Sequence, residues 1–316
     1  MKKIKFAFVG TGYMSNEYAK VLKNEFKKQS EIVGAINKSS KSVKIFAKEF
    51  NVHNKFSKIR NMMEHAKPDV VIVCVNELST YKVLKILCKY PCICLIEKPI
   101  GINLNESNKI TKLKKHKKFF PFIALNRRYF SSVLNSKKIL KEDDSKRIIK
   151  IFDQENIILA KKNGQPLKVL RNWMFANSIH MIDFAYNFAR GKIKKIITNN
   201  KFSFLKEGIV SSMLYFDSGD IVIYNCIWNR PAPWSVQIST KKYFIELKPL
   251  ENISFLTTKN REWNQIKTSK LDKIYKPGIF LLLSEIFKYK KNKKINLQDL
   301  KYSNKLMKLI NRIYFD

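Results

Sequence analysis

Lys98 is the side chain whose setting in this sequence points most directly to chemistry. It stands in Leu95-Ile96-Glu97-Lys98-Pro99-Ile100-Gly101, behind the apolar run 93–96. That run reads as a buried strand ending in a fixed turn, because Pro99 locks its own φ and pushes Lys98 into extended backbone. A lysine held at the carboxyl end of a parallel strand lies on the edge where open α/β sheets bind ligands. There it can polarise a hydroxyl or carbonyl, and partial burial brings its pKa toward use as an acid or base. His180 is the second candidate. With Asp183, three residues on, it falls on one face of a helix read over 178–189. The residues alone leave two readings open: a catalytic histidine with Asp183 bracing the helix, or a satisfied core pair.

The elements that would position these side chains follow from the apolar patterning. Residues 4–9 form a short apolar strand that runs into Gly10-Thr11-Gly12-Tyr13-Met14-Ser15, followed by a helix to about Lys28. Strand, Gly-rich turn and helix in that order is the setting of a dinucleotide fingerprint. Gly10 allows the tight turn, Gly12 lets the backbone approach a pyrophosphate, and Ser15, in place of a third glycine, is small enough for close helix packing. A second strand, 31–36, ends at Asn37-Lys38-Ser39, where an NAD enzyme usually has an acid for the ribose. With no acid there, Asn37 is left to bond a ribose hydroxyl, and Lys38 and Ser39 to hold a 2′-phosphate. NADP is therefore expected over NAD.

A β-branched run, 70–75, reads as a central parallel strand, and its loop through Val75 and Asn76 should run beside the cofactor. Helices are expected over 42–50, 62–66 and 105–116, and a strand over 120–125 leads to Asn126-Arg127-Arg128-Tyr129. The second half reads as mixed: a long strand or strand pair over 146–158, then strand-length segments at 193–197, 208–215, 220–228, 234–240 and 242–247, divided by turns such as Asp217-Ser218-Gly219-Asp220. Helices are expected over 280–289 and 297–314. The fold class is α/β, with an N-terminal doubly wound Rossmann domain over 1–123 and a C-terminal α+β domain over 124–316.

These pieces together resemble the glucose-fructose oxidoreductase, inositol dehydrogenase and rhizopine catabolism (Gfo/Idh/MocA) family of NAD(P)-dependent oxidoreductases. The matching residues are Gly10-Thr11-Gly12, the strand 70–75 with its loop, Glu97-Lys98-Pro99, Asn126-Arg127-Arg128-Tyr129 and Ser178-Ile179-His180-Met181-Ile182-Asp183. The resemblance implies a large, mostly antiparallel second sheet, a homo-oligomer formed through it, and a cis Lys98–Pro99 peptide. It also implies NADP or NAD held by Gly10, Thr11, Gly12, Tyr13, Met14, Asn37, Lys38, Ser39, Val75, Asn76, Glu97 and Lys98. It makes Lys98 and His180 the catalytic pair, with Arg127, Tyr129, Trp173 and Asn177 beside them on a sugar-like substrate. For Arg127 and Arg128 the plain alternative is ordinary surface charge, and at most one should touch substrate. The chain departs from the family pattern at Ser15, at Asn76 and Thr80, and at Ala176, where an Asp one helical turn before the histidine is usual. That last change removes a carboxylate from the proton relay.

Composition limits the remaining classes. The 45% hydrophobic content marks a globular chain, and no apolar run is long enough to span a membrane. No signal-peptide core precedes the first strand, so a cytoplasmic protein is expected. Sixty-two basic residues against twenty-five acidic ones give a net charge of +37. The lysines are spread rather than clustered and travel with heavy Asn and Ile use, which marks compositional bias; they would still steer an anionic substrate, such as a nucleotide sugar of surface polysaccharide pathways. No specific nucleic-acid signature accompanies the charge. Cys88, Cys92 and Cys94 have no partner pair with zinc spacing and read as small buried hydrophobes, so no metal is expected. The rival from another class is a non-catalytic dinucleotide-binding sensor, favoured by Ala176 and the charge.

Overall fold

The computed structural model describes residues 2–200, 208–260 and 262–315. The chain divides into two compact units, one made of Met1–Leu125 with Ile274–Asn304, the other of Asn126–Lys273 with Lys305–Asp316.

The first unit is built on five parallel strands: β1 (Ile4–Val9), β2 (Ser30–Ile36), β3 (Val70–Val73), β4 (Ile93–Glu97) and β5 (Phe120–Ala124). Their spatial order is β5-β4-β3-β1-β2, and the two-residue strand Gln298–Asp299 adds antiparallel to β5. All of β3 and residues 93–96 of β4 are buried, as expected of strands covered on both faces. The order reverses at β1, so the carboxyl ends of β1 and β3 flank a switch point, and Gly10, Cys74 and Lys98 all follow strands on that edge. The expected strand over 70–75 is shorter, ending at Val73. The helix expected over 105–116 ends at Thr111, the segment 62–66 is a π-helical turn, and the last helix begins only at Leu300, after the strand Gln298–Asp299. The stretch 274–304, read from the sequence with the second half, packs in this unit: Phe287 of the helix Ile279–Lys290 stacks on Phe26 with ring centroids 4.2 Å apart.

The second unit holds an eight-stranded sheet formed by β6 (Ile148–Glu155), β7 (Ile193–Asn200), β8 (Gly208–Phe216), β9 (Ile221–Trp228), β10 (Ser235–Ser239), β11 (Tyr243–Leu247), β12 (Ser254–Thr257) and β13 (Asn264–Gln265), in the order β13-β12-β11-β10-β6-β9-β8-β7. Every neighbouring pair is antiparallel except β6 with β9. Strict alternation of burial along β6, β8 and β9 gives the sheet one covered face. The helix Ile179–Phe188 packs on β6 and is buried at every position but Tyr186. The segment 146–158 is one strand rather than a pair. It stops at Glu155 because Asn156 caps the helix Ile157–Lys162, its side chain accepting from Leu159 N–H. The helix expected from Ser178 is preceded by a π-helical turn, Met174–Ser178. Strands β12 and β13 and the helix Ser131–Ile139 were not legible from periodicity.

Candidate functional site

In the first unit the Gly-rich turn has the properties its residues call for. Gly10 has φ +96°, and a Cβ there would collide with the Cys74 carbonyl, so only glycine fits. At Gly12 an added Cβ would meet nothing within 4 Å. The chain itself therefore makes no demand for glycine there, and the open space is the approach a bulky ligand needs. Gly12 caps the helix Tyr13–Asn24 with no side-chain acceptor, and no acid occupies the first turn, so the backbone N–H groups and the positive end of the helix are left for an anion. Ser15 is buried and donates its hydroxyl to Gly10 O at 2.7 Å, a bond a third glycine could not make. Tyr13 is exposed, with the Lys276 ammonium 5.3 Å above its ring, and Met14 is half-buried.

Around this turn the other expected cofactor residues fall into two groups. Asn37 donates its amide to Thr11 Oγ1 at 3.0 Å and Ser42 Oγ at 3.2 Å, and its Oδ1 accepts from Lys38 N–H at 2.7 Å. It ties the turn to the second strand. Ser39 caps the next helix by accepting from Ser42 N–H, and Asn76 does the same for Leu78 N–H. The Lys38 ammonium is exposed and lies 3.4 Å from Ser79 Oγ. Val75 is half-buried at the end of the β3 loop.

The Lys98 turn adds a partner that sequence reasoning missed. Tyr18, fully buried on the helix after the Gly turn, donates its hydroxyl to Glu97 Oε1 at 2.7 Å. Burial raises the Glu97 carboxyl above its ordinary range, although the Tyr18 bond and the Lys98 charge pull the other way. Burial and Glu97 together push the Tyr18 phenol well up. The Lys98–Pro99 peptide is cis, as the resemblance implies, and Lys98 is half-buried.

The second unit separates the two arginines. Arg128 is buried and forms a bidentate pair with Asp183, Nε to Oδ2 at 2.6 Å and Nη2 to Oδ1 at 2.8 Å. Surface charge is therefore the wrong reading for it, and Asp183 serves that pair. Arg127 is half-buried. One Nη donates to Met181 Sδ at 3.1 Å, and its guanidinium stacks 4.5 Å from the Trp234 ring. Burial lowers its pKa, while the charges of Asp153, Glu155 and Glu251 oppose that. It borders a cavity of about 360 Å³ that Trp234, Lys248 and Glu251 also line. His180 is buried on the helix Ile179–Phe188, and Tyr129 is buried as well.

Trp173 and Asn177 have a carboxylate between them that the sequence did not reveal. Trp173 Nε1 donates to Glu155 Oε2 at 2.6 Å, Asn177 Nδ2 to the same oxygen at 2.8 Å, and Ser178 Oγ to Oε1 at 2.9 Å. Two residues back along β6, Asp153 accepts from the Tyr224 hydroxyl at 2.7 Å, which lies 3.2 Å from that of Tyr314. Burial raises both carboxyls, and the Asp153 charge raises Glu155 further. The signal for this pair was present as Ile149-x-Ile151-x-Asp153-x-Glu155, a strand alternation with acids on the covered side. Among the described residues no group of His, Cys, Asp and Glu could hold a metal ion, and the five cysteines are free thiols, four of them buried.

Residues 4–122 match the family described as an oxidoreductase family with an NAD-binding Rossmann fold, Gfo/Idh/MocA. A comparison with curated proteins finds no match. Among solved structures the chain is similar to the UDP-N-acetylglucosamine 3-dehydrogenase of Acidithiobacillus ferrooxidans (TM-score 0.79, 10% identity, covering 99% of this chain and 97% of that one). It is similar also to the WlbA dehydrogenase of Chromobacterium violaceum in complex with NADH and UDP-GlcNAcA (0.72, 15%, 98% and 92%) and to a levoglucosan dehydrogenase in complex with NADH (0.79, 13%, 99% and 96%). At these identities the likeness is one of fold.

Proposed function

From a chain whose residues 4–122 belong to the NAD-binding Rossmann domain of the Gfo/Idh/MocA oxidoreductases, we propose a dehydrogenase or reductase that acts on a CH–OH group of a sugar-like substrate. The observation that carries it is the turn at Gly12. Open space, an uncapped helix start and a lysine fixed after β4, two strands from β1, share the ligand-binding edge of one sheet.

In this reading Gly10, Thr11, Gly12, Tyr13 and Met14 receive the dinucleotide pyrophosphate, with Val75, Asn76 and Glu97 alongside. Asn37 acts by holding Thr11 and Ser42 in place. Lys38 and Ser39 face the adenosine ribose, and with no acid beside them NADP is accepted at least as well as NAD. The nicotinamide supplies or accepts the hydride. Lys98 hydrogen-bonds the reacting oxygen and stabilises the charge that develops there. His180 gives or takes the hydroxyl proton. Asn177, Trp173 and Tyr129 shape the pocket wall. Arg127, which has no carboxylate within ion-pair distance among the described residues, takes an anionic part of the substrate, a role that fits a nucleotide sugar.

The open face of the eight-stranded sheet carries Ile209, Met213, Tyr215, Ile221, Ile223 and Ile227, none of them buried, which supports a homo-oligomer formed through that sheet in a cytoplasmic enzyme. No helix among the described residues is long and apolar enough to cross a membrane.

Fluorescence titration with NADH and NADPH, followed by turnover assays on sugars and UDP-sugars, tests the reading. Binding of either dinucleotide with turnover of at least one sugar is the expected result. Binding without turnover of any would favour the second reading that Ala176 supports, a dinucleotide sensor. Asn37→Asp should shift preference toward NADH, because a carboxylate pairs with the 2′-hydroxyl and repels a 2′-phosphate. A wild type that clearly prefers NADH would refute the NADP assignment.

A further inference from the structure

Two carboxyl groups on the covered face of one strand are costly, because each must find partners there or hold a proton. Strand β6 carries such a pair. Its inward positions run Ile149, Ile151, Asp153, Glu155, all at 1% relative exposure or less. The three side chains that compensate Glu155 are not scattered. Trp173, Asn177 and Ser178 all belong to the turn that leads directly into the helix bearing His180, and they occupy both oxygens of the carboxylate. That turn is π-helical, a geometry frequent where a helix is shaped for function. Residues 173, 177 and 180 are spaced four and three apart, so they line one side of the helical path. Ala176, one turn before His180, offers no polar atom to that side.

We infer that Glu155 is the positioning carboxylate of the second unit, fixing from β6 the Trp173–Asn177–His180 face that no acid at position 176 can fix in this chain. The inference rests on the oxidoreductase reading for its role in turnover. The titratable groups that act on Glu155 are Asp153 on its own strand, Arg127 after β5 and Cys226 on β9, while Tyr224 and Tyr314 reach it only through Asp153 and Ser178. Asp153 is bonded to Tyr224 on β9 and also feels the Ser178 hydroxyl, whereas all three side-chain donors of Glu155 come from the turn before His180.

A merely structural network and a positioning one differ in what rescues them. Glu155→Gln should lower kcat by about 10- to 100-fold, since small misplacements of a reacting group cost that much, while the affinity for NADPH stays unchanged. Adding Ala176→Asp in that background should restore most of kcat, because it returns a carboxylate to the His180 side of the helix; a packing defect at Glu155 would not be mended from position 176. An unchanged kcat in Glu155→Gln, or no recovery in the double variant, overturns the inference.

A second readout does not need a substrate. The chain has four histidines, so ¹⁵N-histidine spectra resolve His180 against its own His180→Asn control. Glu155→Gln should change the tautomer balance and pH curve of His180, Ser178→Ala should change them less and in the same direction, and Ala176→Asp should move the Glu155→Gln spectrum back. A His180 signal identical in all variants overturns the inference even if the protein turns over sugars. If the wild type turns over none, the oxidoreductase reading fails by itself, and the His180 spectra still decide whether Glu155 positions it. Should Glu155→Gln not fold, Ser178→Ala, which removes one donor of three, carries the same test.

Discussion

The two units treat carboxylates near their candidate sites in opposite ways. In the first, Glu97 is half-buried at the end of β4 and receives one side-chain hydrogen bond, from Tyr18. In the second, each of the comparable acids is buried and multiply bonded. Glu155 takes three side-chain donors, Asp183 a bidentate guanidinium, and Asp220 both the Arg190 guanidinium and the backbone N–H groups of Arg147 and Arg190. The difference bears on the proposed reading. A carboxylate with a single side-chain donor, near an uncapped helix, is where that reading lays the dinucleotide. A saturated carboxylate belongs to a frame that is already set.

The largest way to break this comparison is to unpair a saturated acid. Arg128→Leu leaves Asp183 buried without its guanidinium, and removing one partner of a buried pair costs about 3–5 kcal/mol. Urea unfolding should show that loss, and a change under 1 kcal/mol would mean that Asp183 is not committed to the pair. Next is Lys98→Ala, in the unit left open. It should reduce turnover by about 10²–10³-fold with cofactor affinity kept, the size typical of a group that stabilises developing charge; wild-type turnover would remove Lys98 from the chemistry.

A third prediction concerns pH. Asp153 and Glu155 both have folded-state pKa values above their unfolded ones, from burial and, for Glu155, from Asp153. The folded chain thus holds protons that the unfolded chain has released. Stability should fall as pH rises from the ordinary carboxylate range toward neutrality, by up to about 1.4 kcal/mol per pH unit for each proton involved. Glu155→Gln should flatten that fall, as urea midpoints between acid and neutral pH would report; an equal slope in the variant contradicts the assignment. The smallest effect is Tyr18→Phe. Loss of one hydrogen bond to Glu97 should cost about 1–3 kcal/mol and push the Glu97 carboxyl further up, because the bond lowers it. Infrared titration of the carboxyl would show the shift, and its absence would mean that the phenol does not bear on Glu97.

The same contrast explains what could be read in the sequence. Gly10, Gly12 and Lys98 were legible because their function is set by local backbone: a positive φ, a helix start, a residue before proline. The alternating strands of the second sheet were legible too, since one residue in two must be apolar. Glu155 was not, because the alternation that puts it on the face of Ile149 and Ile151 conflicts with its charge until its partners are known, and Trp173 and Asn177 lie outside any local pattern with it. Asp183 was found on the helix but given the wrong task, for its partner Arg128 is more than fifty residues away. Likewise nothing local says that 274–304 packs with the first unit. The aromatic pairing of Phe26 and Phe287 that holds it there is visible only in the fold.

That return of the chain sets an order on synthesis. The edge of β5 pairs with Gln298–Asp299, and Phe6 and Phe26 meet Phe287, so neither can be covered until residues far down the chain have left the ribosome. At roughly 5–20 residues per second, the interval between emergence of β5 and of its cover is on the order of ten seconds or more. For that time the nascent sheet presents an open edge and bare aromatic rings, the surfaces that chaperones bind and aggregates recruit.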